Sequence, residues 1–215
     1  MQISLTFDNG PIADVTPTVL AVLARRGVAA TFFVNGKNLG TPSELDLVRR
    51  AYDEGHLVGN HTFTHRMPLG ALDSGEEAIA EIARTQELMQ PFASKDKLFR
   101  PTGGTGVLNG QVLCSVSKQY LLDNAFSCVT WNCVPGDWID PVGWVDVALE
   151  FASSNPWSVV VLHDTPRGGT RSLDDFIVKA RDQLGATFTQ AFPVECVPIW
   201  RGVAQFDMSH LVTQR

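Results

Sequence analysis

The chain opens on alternation. Ile3, Leu5 and Phe7 alternate with Gln2, Ser4 and Thr6, the period of a strand. Asp8 and Asn9 stand where that strand ends, ahead of a Gly10-Pro11 turn. The period then changes: Val19, Leu20 and Leu23 recur at helical spacing within Thr16–Arg26, and Gly27 supplies a stop. The two periods keep exchanging. Strands are predicted at 29–34, 57–59, 97–99, 126–131 and 158–162, and a last one near 194–197. Helices are predicted at 41–54, 74–89, 142–153 and 173–184. Ser74-Gly75-Glu76-Glu77 reads as a capping box for a helix whose apolar side is Ile79, Ile82, Ala83 and Leu88. The stretch 107–124 is ambiguous and reads as a helix followed by a short strand at Tyr120-Leu121-Leu122.

Strands alternating with helices imply a parallel sheet. Roughly six to eight such units in a chain of this length fit an α/β fold of the distorted or incomplete (β/α) barrel type, TIM-barrel-like, better than an open doubly wound sheet. No composition break or internal repeat divides the chain, so residues 1–215 are expected to form a single domain.

Composition narrows the classes. Hydrophobic residues make up 44% and charged residues 19%, ordinary for a globular chain with one sizeable core. The net charge of −6 and the scattered Lys and Arg give no footprint for nucleic acid. No apolar run approaches the ~18 residues of a membrane-spanning helix. The N-terminus runs directly into a strand with no basic and apolar leader, so a cytoplasmic location is expected, an absent export segment being the alternative. Cys114, Cys128, Cys133 and Cys196 lack both metal-site spacing and disulfide density, and read as free thiols. Oligomeric state is left open.

The candidate chemistry lies at strand ends. Asp8, His61, Arg100, Asp137 and His163 each follow a predicted strand and precede the next helix. In a β/α barrel such positions converge on the face that holds active sites. His61 and His65 are four apart, so on a helical turn they would share a face and chelate one ion; the alternative is plain polar surface. Neutral imidazoles suit zinc and other first-row metals, with Asn9 or Asp8 as the third ligand. His163 is either a core histidine or a general acid. Arg100 is either a surface ion-pair partner or the group that keeps a carboxylate ionised. Trp131 and Trp138 are suited to stacking on sugar rings or to core packing.

Thr6-Phe7-Asp8-Asn9-Gly10-Pro11, His61-Thr62-Phe63-Thr64-His65, Arg100-Pro101, Asp137-Trp138 and Leu162-His163 occur in one order along residues 3–197. In this the chain resembles the polysaccharide deacetylase family, the NodB-homology domain of carbohydrate esterase family four. The resemblance implies a distorted (β/α) barrel that removes acetyl groups from N- or O-acetylated carbohydrate with one divalent metal, zinc foremost. It implies that Asp8 is the base, that His61, His65 and Asn9 hold the metal, and that Arg100 orients the base. It further implies that Asp137 tunes His163 as the acid and that Leu162 lines the pocket for the acetate methyl. Backbone N–H groups near Gly103 would then stabilise the oxyanion, with Trp138 against the sugar.

Three departures from the family pattern stand out. Asn9 replaces the usual aspartate and removes a negative charge from the ligand set, which predicts weaker metal binding or a metal-free site. Thr102-Gly103-Gly104 lacks the usual aromatic residue and predicts a more open cleft. Val134 stands where many relatives carry an acid. The expected partner is an acetylated oligosaccharide, with no nucleic acid and no membrane. Two other readings stay open: a hydrolase of small linear or cyclic amides, and a silent carbohydrate-binding relative. The joint retention of Asp8, Arg100 and His163 argues against the silent one.

Overall fold

The computed structural model describes residues 1–104 and 106–213. The opening strand, β1 (Gln2–Asp8), is buried on both faces from Ile3 onward. Its alternation therefore does not separate core from solvent. Ile3, Leu5 and Phe7 face a core cluster shared with the surrounding helices, and Ser4, Thr6 and Asp8 face the interior of the curled sheet. Around it run α1 (Thr16–Arg26), β2 (Thr31–Val34), α2 (Pro42–Asp53), β3 (Leu57–Asn60), α3 (Gly75–Leu88) and β4 (Leu98–Phe99). There follow β5 (Leu113–Cys114), α4 (Ser115–Asp123), β6 (Ser127–Cys128), α5 (Trp144–Ser153), β7 (Trp157–His163) and α6 (Leu173–Leu184). The chain ends with β8 (Thr187–Thr189), β9 (Ile199–Trp200), β10 (Val203–Ala204) and β11 (Val212–Thr213).

The main sheet has the order β10-β9-β6-β4-β3-β2-β1-β7, parallel from β6 to β7 and antiparallel at β9 and β10. One edge of β1 is divided, with Gln2–Ser4 pairing with β8 and Thr6–Asp8 pairing with β2. The chain leaving β6 crosses the gap to β7, where Cys133 bridges Val160 and its carbonyl accepts from Val161 N at 3.0 Å. This single bridge turns the curled sheet into a distorted barrel. The expected fold class holds.

Helix ends follow their local chemistry. At the end of α1, Gly27 takes a left-handed conformation (φ 59°), which glycine adopts without a Cβ penalty. Arg25 and Arg26 in its last turn pair with Asp174 of α6 at 2.8 and 2.6 Å. In α3, Ser74 accepts from Glu77 N at 3.1 Å, but the Glu77 carboxylate pairs with Arg66 at 2.7 Å instead of closing the box. The buried side of α3 is Ala78, Glu81, Ile82 and Thr85; Leu88, expected there, is exposed.

Two segments correct the sequence expectation. In 107–124 the order is reversed: the short strand β5 comes first and α4 runs through Tyr120-Leu121-Leu122. Cys114 caps that helix through its sulfur, accepting from Ser117 N at 3.3 Å, a role outside the usual capping residues. The strand expected near 194–197 is instead a 3-10 turn over Val194–Cys196, and Val194 is exposed. Strand β6 is also only two residues long, because the chain beyond it turns toward β7. All four cysteines are free. No helix among the described residues is long and apolar enough to cross a membrane.

Candidate active site

The carboxyl ends of the strands frame a pocket of about 240 Å³ whose lining includes Asp8, Asn9, His61, His65, Trp138 and His163. Its foundation is strand register. Asp8 of β1 is paired with His163 of β7, so the two side chains project to the same side of the sheet.

Asp8 is buried, and its Oδ1 accepts from Arg100 Nη1 at 2.9 Å. Arg100 is itself wholly buried. It also donates to Thr6 Oγ1 at 2.6 Å, reaches the carbonyls of Val129 and Thr130, and lies 4.1 Å from the Phe33 ring centroid. Burial on its own would raise the Asp8 pKa; the charge and hydrogen bond of Arg100, with His163 adding to them, outweigh it and hold the carboxyl below its usual range.

His61 and His65 do not sit on a helical turn. They belong to a loop in which Thr62 (φ 66°) and His65 (φ 53°) take left-handed conformations, and it is this folding back that brings the two rings to 4.7 Å. His61 Nδ1 lies 2.8 Å from the Arg100 carbonyl oxygen, which can only accept, so the proton sits on Nδ1 and Nε2 keeps its lone pair. Nε2 is 3.5 Å from Asp8 Oδ2. Burial lowers the pKa of both histidines, that of His65 to about 3 with help from the neighbouring His61, which keeps both rings neutral.

Asn9 takes φ 77°, a conformation that Asn tolerates better than most residues, and its buried Oδ1 has no hydrogen-bond partner. An unpartnered amide oxygen beside two neutral imidazoles is a donor set that fits a divalent ion. The third donor is an amide: among the described residues no group of three or more His, Cys, Asp or Glu forms a metal centre.

On the opposite wall, Asp137 is fully buried and aligns His163. Its Oδ1 accepts from His163 Nδ1 at 2.7 Å, and its Oδ2 accepts from the amides of His163 and Gly169 at 2.9 and 3.2 Å. Burial would lower the His163 pKa; the hydrogen bond and charge of Asp137 reverse it, so the net shift is upward. Trp138 packs edge-on against the His163 ring at 4.8 Å.

Gly103 lies in the pocket wall against Trp131, where a Cβ would overlap the ring and only glycine fits. Trp131 is buried and donates Nε1 to the Gly106 carbonyl at 2.8 Å, and Val134 lines the same wall. Leu162 does not line the pocket. It faces the helices in the main core cluster, and the pocket is lined by Val161, the residue with the same strand parity as His163.

Sequence reasoning missed Glu81. This buried carboxylate on α3 accepts from the amides of Phe63 and Thr64 at 3.0 and 2.8 Å and from Thr64 Oγ1 at 2.8 Å, and so fixes the histidine loop. The available signal was an acid one residue before Ile82, inside the apolar stripe of the helix. Asn60 adds a second brace, accepting from Thr62 N at 3.0 Å while donating to the Ile82 carbonyl at 2.8 Å.

The polysaccharide deacetylase family model matches residues 1–121, more than half of the chain. A peptidoglycan-N-acetylglucosamine deacetylase of Bacillus cereus is 31% identical over 197 residues, covering 87% of this chain and 66% of the relative. A chitooligosaccharide deacetylase of Bradyrhizobium is 34% identical over 195 residues, covering 89% and 83%. Among solved structures, a family 4 carbohydrate esterase from Streptomyces lividans in complex with acetate superposes with a TM-score of 0.71 at 27% identity, covering 92% of this chain and 96% of that one. The chain thus spans slightly less than two thirds of the Bacillus cereus relative and most of the Bradyrhizobium one. With a barrel of the matching type and the five strand-end groups gathered at one mouth, the chain belongs to the polysaccharide deacetylase family.

Proposed function

We propose that the protein hydrolyses the acetamide of an N-acetylated carbohydrate, with Asp8 as base and His163 as acid. The observation that carries this reading is the opposed tuning of two groups across one pocket. Asp8 is held ionised by Arg100, and His163 is held toward its protonated form by Asp137. A purely binding protein has no use for such a pair. O-acetyl substrates need the same two groups and remain within the proposal. Small-amide hydrolysis is the second reading and shares this machinery; the named activities of the relatives favour carbohydrate.

Asn9 Oδ1, His61 Nε2 and His65 are proposed to hold one divalent ion, zinc by the nitrogen-rich character of the set. Such an ion would supply Lewis acidity toward the acetyl carbonyl and acidify a water molecule at neutral pH. Asp8 accepts a proton from the attacking water as its oxygen bonds to the acetyl carbon. Arg100 keeps the carboxylate oriented and charged until that transfer. The N–H of Gly103 is proposed to donate to the oxygen that gains negative charge. His163 Nε2 then gives its proton to the amide nitrogen as the C–N bond breaks, leaving acetate and a free amine. Asp137 stays hydrogen-bonded at Nδ1 and stabilises the imidazolium before the transfer.

Acetate release from chitooligosaccharides, with a panel of imides and ureides in parallel, tests the reading. The expected result is acetate from the sugars only, and a drop of roughly two to four orders of magnitude in turnover for His163→Ala. Hydrolysis confined to the imides and ureides would transfer the assignment to the second reading. Metal analysis of protein purified without chelator should find one ion per chain, and none at useful occupancy would sink the metal-assisted route.

A further inference from the structure

The two loops that carry Asn9, His61 and His65 hold strained backbone. Asn9, Thr62 and His65 have φ values of 77°, 66° and 53°, which residues with side chains keep only where the surroundings over-determine them. Glu81 and Asn60 grip the amides of the histidine loop. Its carbonyls are held by a different element, and that element also holds the Asn9 turn.

This element is the short 3-10 turn Gly36–Asn38, with Asn35 ahead of it at the end of β2. On one side Asn35 N donates to the Gly10 carbonyl at 3.0 Å, and Asn38 Nδ2 to the Asn9 carbonyl at 2.7 Å. On the other side Asn35 Nδ2 donates to the His61 carbonyl at 2.7 Å. Gly36 N, Lys37 N and Lys37 Nζ donate to the carbonyls of Thr62, Phe63 and Thr64 at 3.0, 2.9 and 2.9 Å. Every carbonyl from His61 to Thr64, with those of Asn9 and Gly10, therefore accepts from one run of four residues.

The pattern has a simple basis. The first amides of a helical turn have no partner inside it and bond outward. The side-chain amides of Asn35 and Asn38 add two more donors. Asn35 is buried, and Gly36 lies flush on the histidine loop, since a Cβ there would overlap the Phe63 ring and Thr85 Oγ1. Residues 35–38 do not line the pocket, so their hold is on the backbone that presents the donors.

We propose that the 35–38 turn is a splint that presets Asn9 against His61 and His65, with Asn35 and Asn38 as positioning residues for the divalent ion. Asn38 acts through Asn9, and Asn35 acts through His61. The proposal rests on the ligand set given above and adds the part that fixes its spacing. Donors held in place beforehand lose little freedom when the ion arrives, so affinity is carried by the splint as well as by the donors.

Zinc affinity is measured by competition with a chelator, and stability by thermal unfolding of the metal-free protein. Asn38 is only half-buried, so Asn38→Ala should fold; it should weaken zinc affinity by about tenfold, within the range for groups that orient a ligand. Made on top of Asn9→Gly, the same substitution should have almost no further effect. Glycine accepts the φ of 77° and keeps the carbonyl that Asn38 grips, but leaves no side-chain oxygen to aim. Asn35→Ala should weaken affinity in both backgrounds, because it acts through His61. Unchanged affinity in Asn38→Ala, or an equal loss with and without the Asn9 side chain, overturns the splint even where the metal-free protein melts earlier. An unaltered protein that binds no zinc overturns the ligand set and the splint together. Acetate release by the unaltered protein is measured apart from these and decides the deacetylase reading alone.

Discussion

Asp8 and His163 are register partners, opposite one another at the carboxyl ends of two adjacent parallel strands. The pairing runs unbroken from Gln2–Trp157 to Asp8–His163, so the spacing of the two groups is set by a rigid ladder and not by loops. Shifting either strand by one residue would turn one of the pair toward the helices.

The pH profile should report the two groups separately. Burial would narrow the gap between their pKa values, but Arg100 lowers Asp8 and Asp137 raises His163. As the proposed base Asp8 would act ionised, so activity should fail on the acid side only below the ordinary carboxylate range. As the proposed acid His163 would act protonated, so the alkaline limb should lie above the ordinary imidazole value. Asp137→Asn removes the charge that raises His163 and should move the alkaline limb of kcat/KM to lower pH. An alkaline limb that stays in place would remove His163 from the acid role.

Asn9→Asp should tighten metal retention. The change restores a negative charge at an oxygen that now has no partner. Competition against a chelator of known affinity measures it. Identical retention in both proteins would take Asn9 out of the ligand set.

Glu81→Ala should loosen the histidine loop without touching the pocket. Three hydrogen bonds to one carboxylate would be lost, leaving the Phe63 and Thr64 amides without partners. The expected cost is about 1–3 kcal/mol in denaturant unfolding. Metal affinity should fall by about 10–100-fold, the usual range for groups that orient ligands. A loss of stability with unchanged metal affinity would confine Glu81 to a purely structural role.

Leu162→Ala and Val161→Ala should separate stability from substrate handling. Leu162 is fully buried against the helices, and its truncation should cost about 2–5 kcal/mol with the KM unchanged in whatever protein remains folded. Val161 lines the pocket, so its truncation should change KM or substrate preference more than stability. The opposite pattern would mean that strand parity does not decide the lining.

Much of this was legible from the chain. The bounds of α1 and α6 agree with expectation because each combines helical periodicity with a glycine stop. The five strand-end groups were placed together because a parallel barrel leaves them only one face to share. Legibility ended where backbone conformation departs from the regular periods. The spacing of His61 and His65 suggested a helical turn, whereas two left-handed residues do the folding. Val194 to Val197 has the β-branched composition of a strand, yet its amides bond locally, Cys196 N to the Pro193 carbonyl at 3.0 Å. Leu162 was an error of transfer: counting by twos from His163 along β7 would have selected Val161.

Arg100 is a guanidinium with no exposed surface, joined at once to β1, to the segment bridging β6 and β7, and to the Asp8 carboxylate. Removing one partner of a buried pair of this kind costs about 3–5 kcal/mol, a large part of the ~5–15 kcal/mol that a domain has in total. Inactivation is therefore not equivalent across the site. Mutational drift that silenced the protein through His163 or Asn9 would leave a folded barrel free to be recruited for another role. Drift through Arg100 would take the barrel with it. Lineages that abandon the reaction yet keep the protein should accordingly retain this arginine longest.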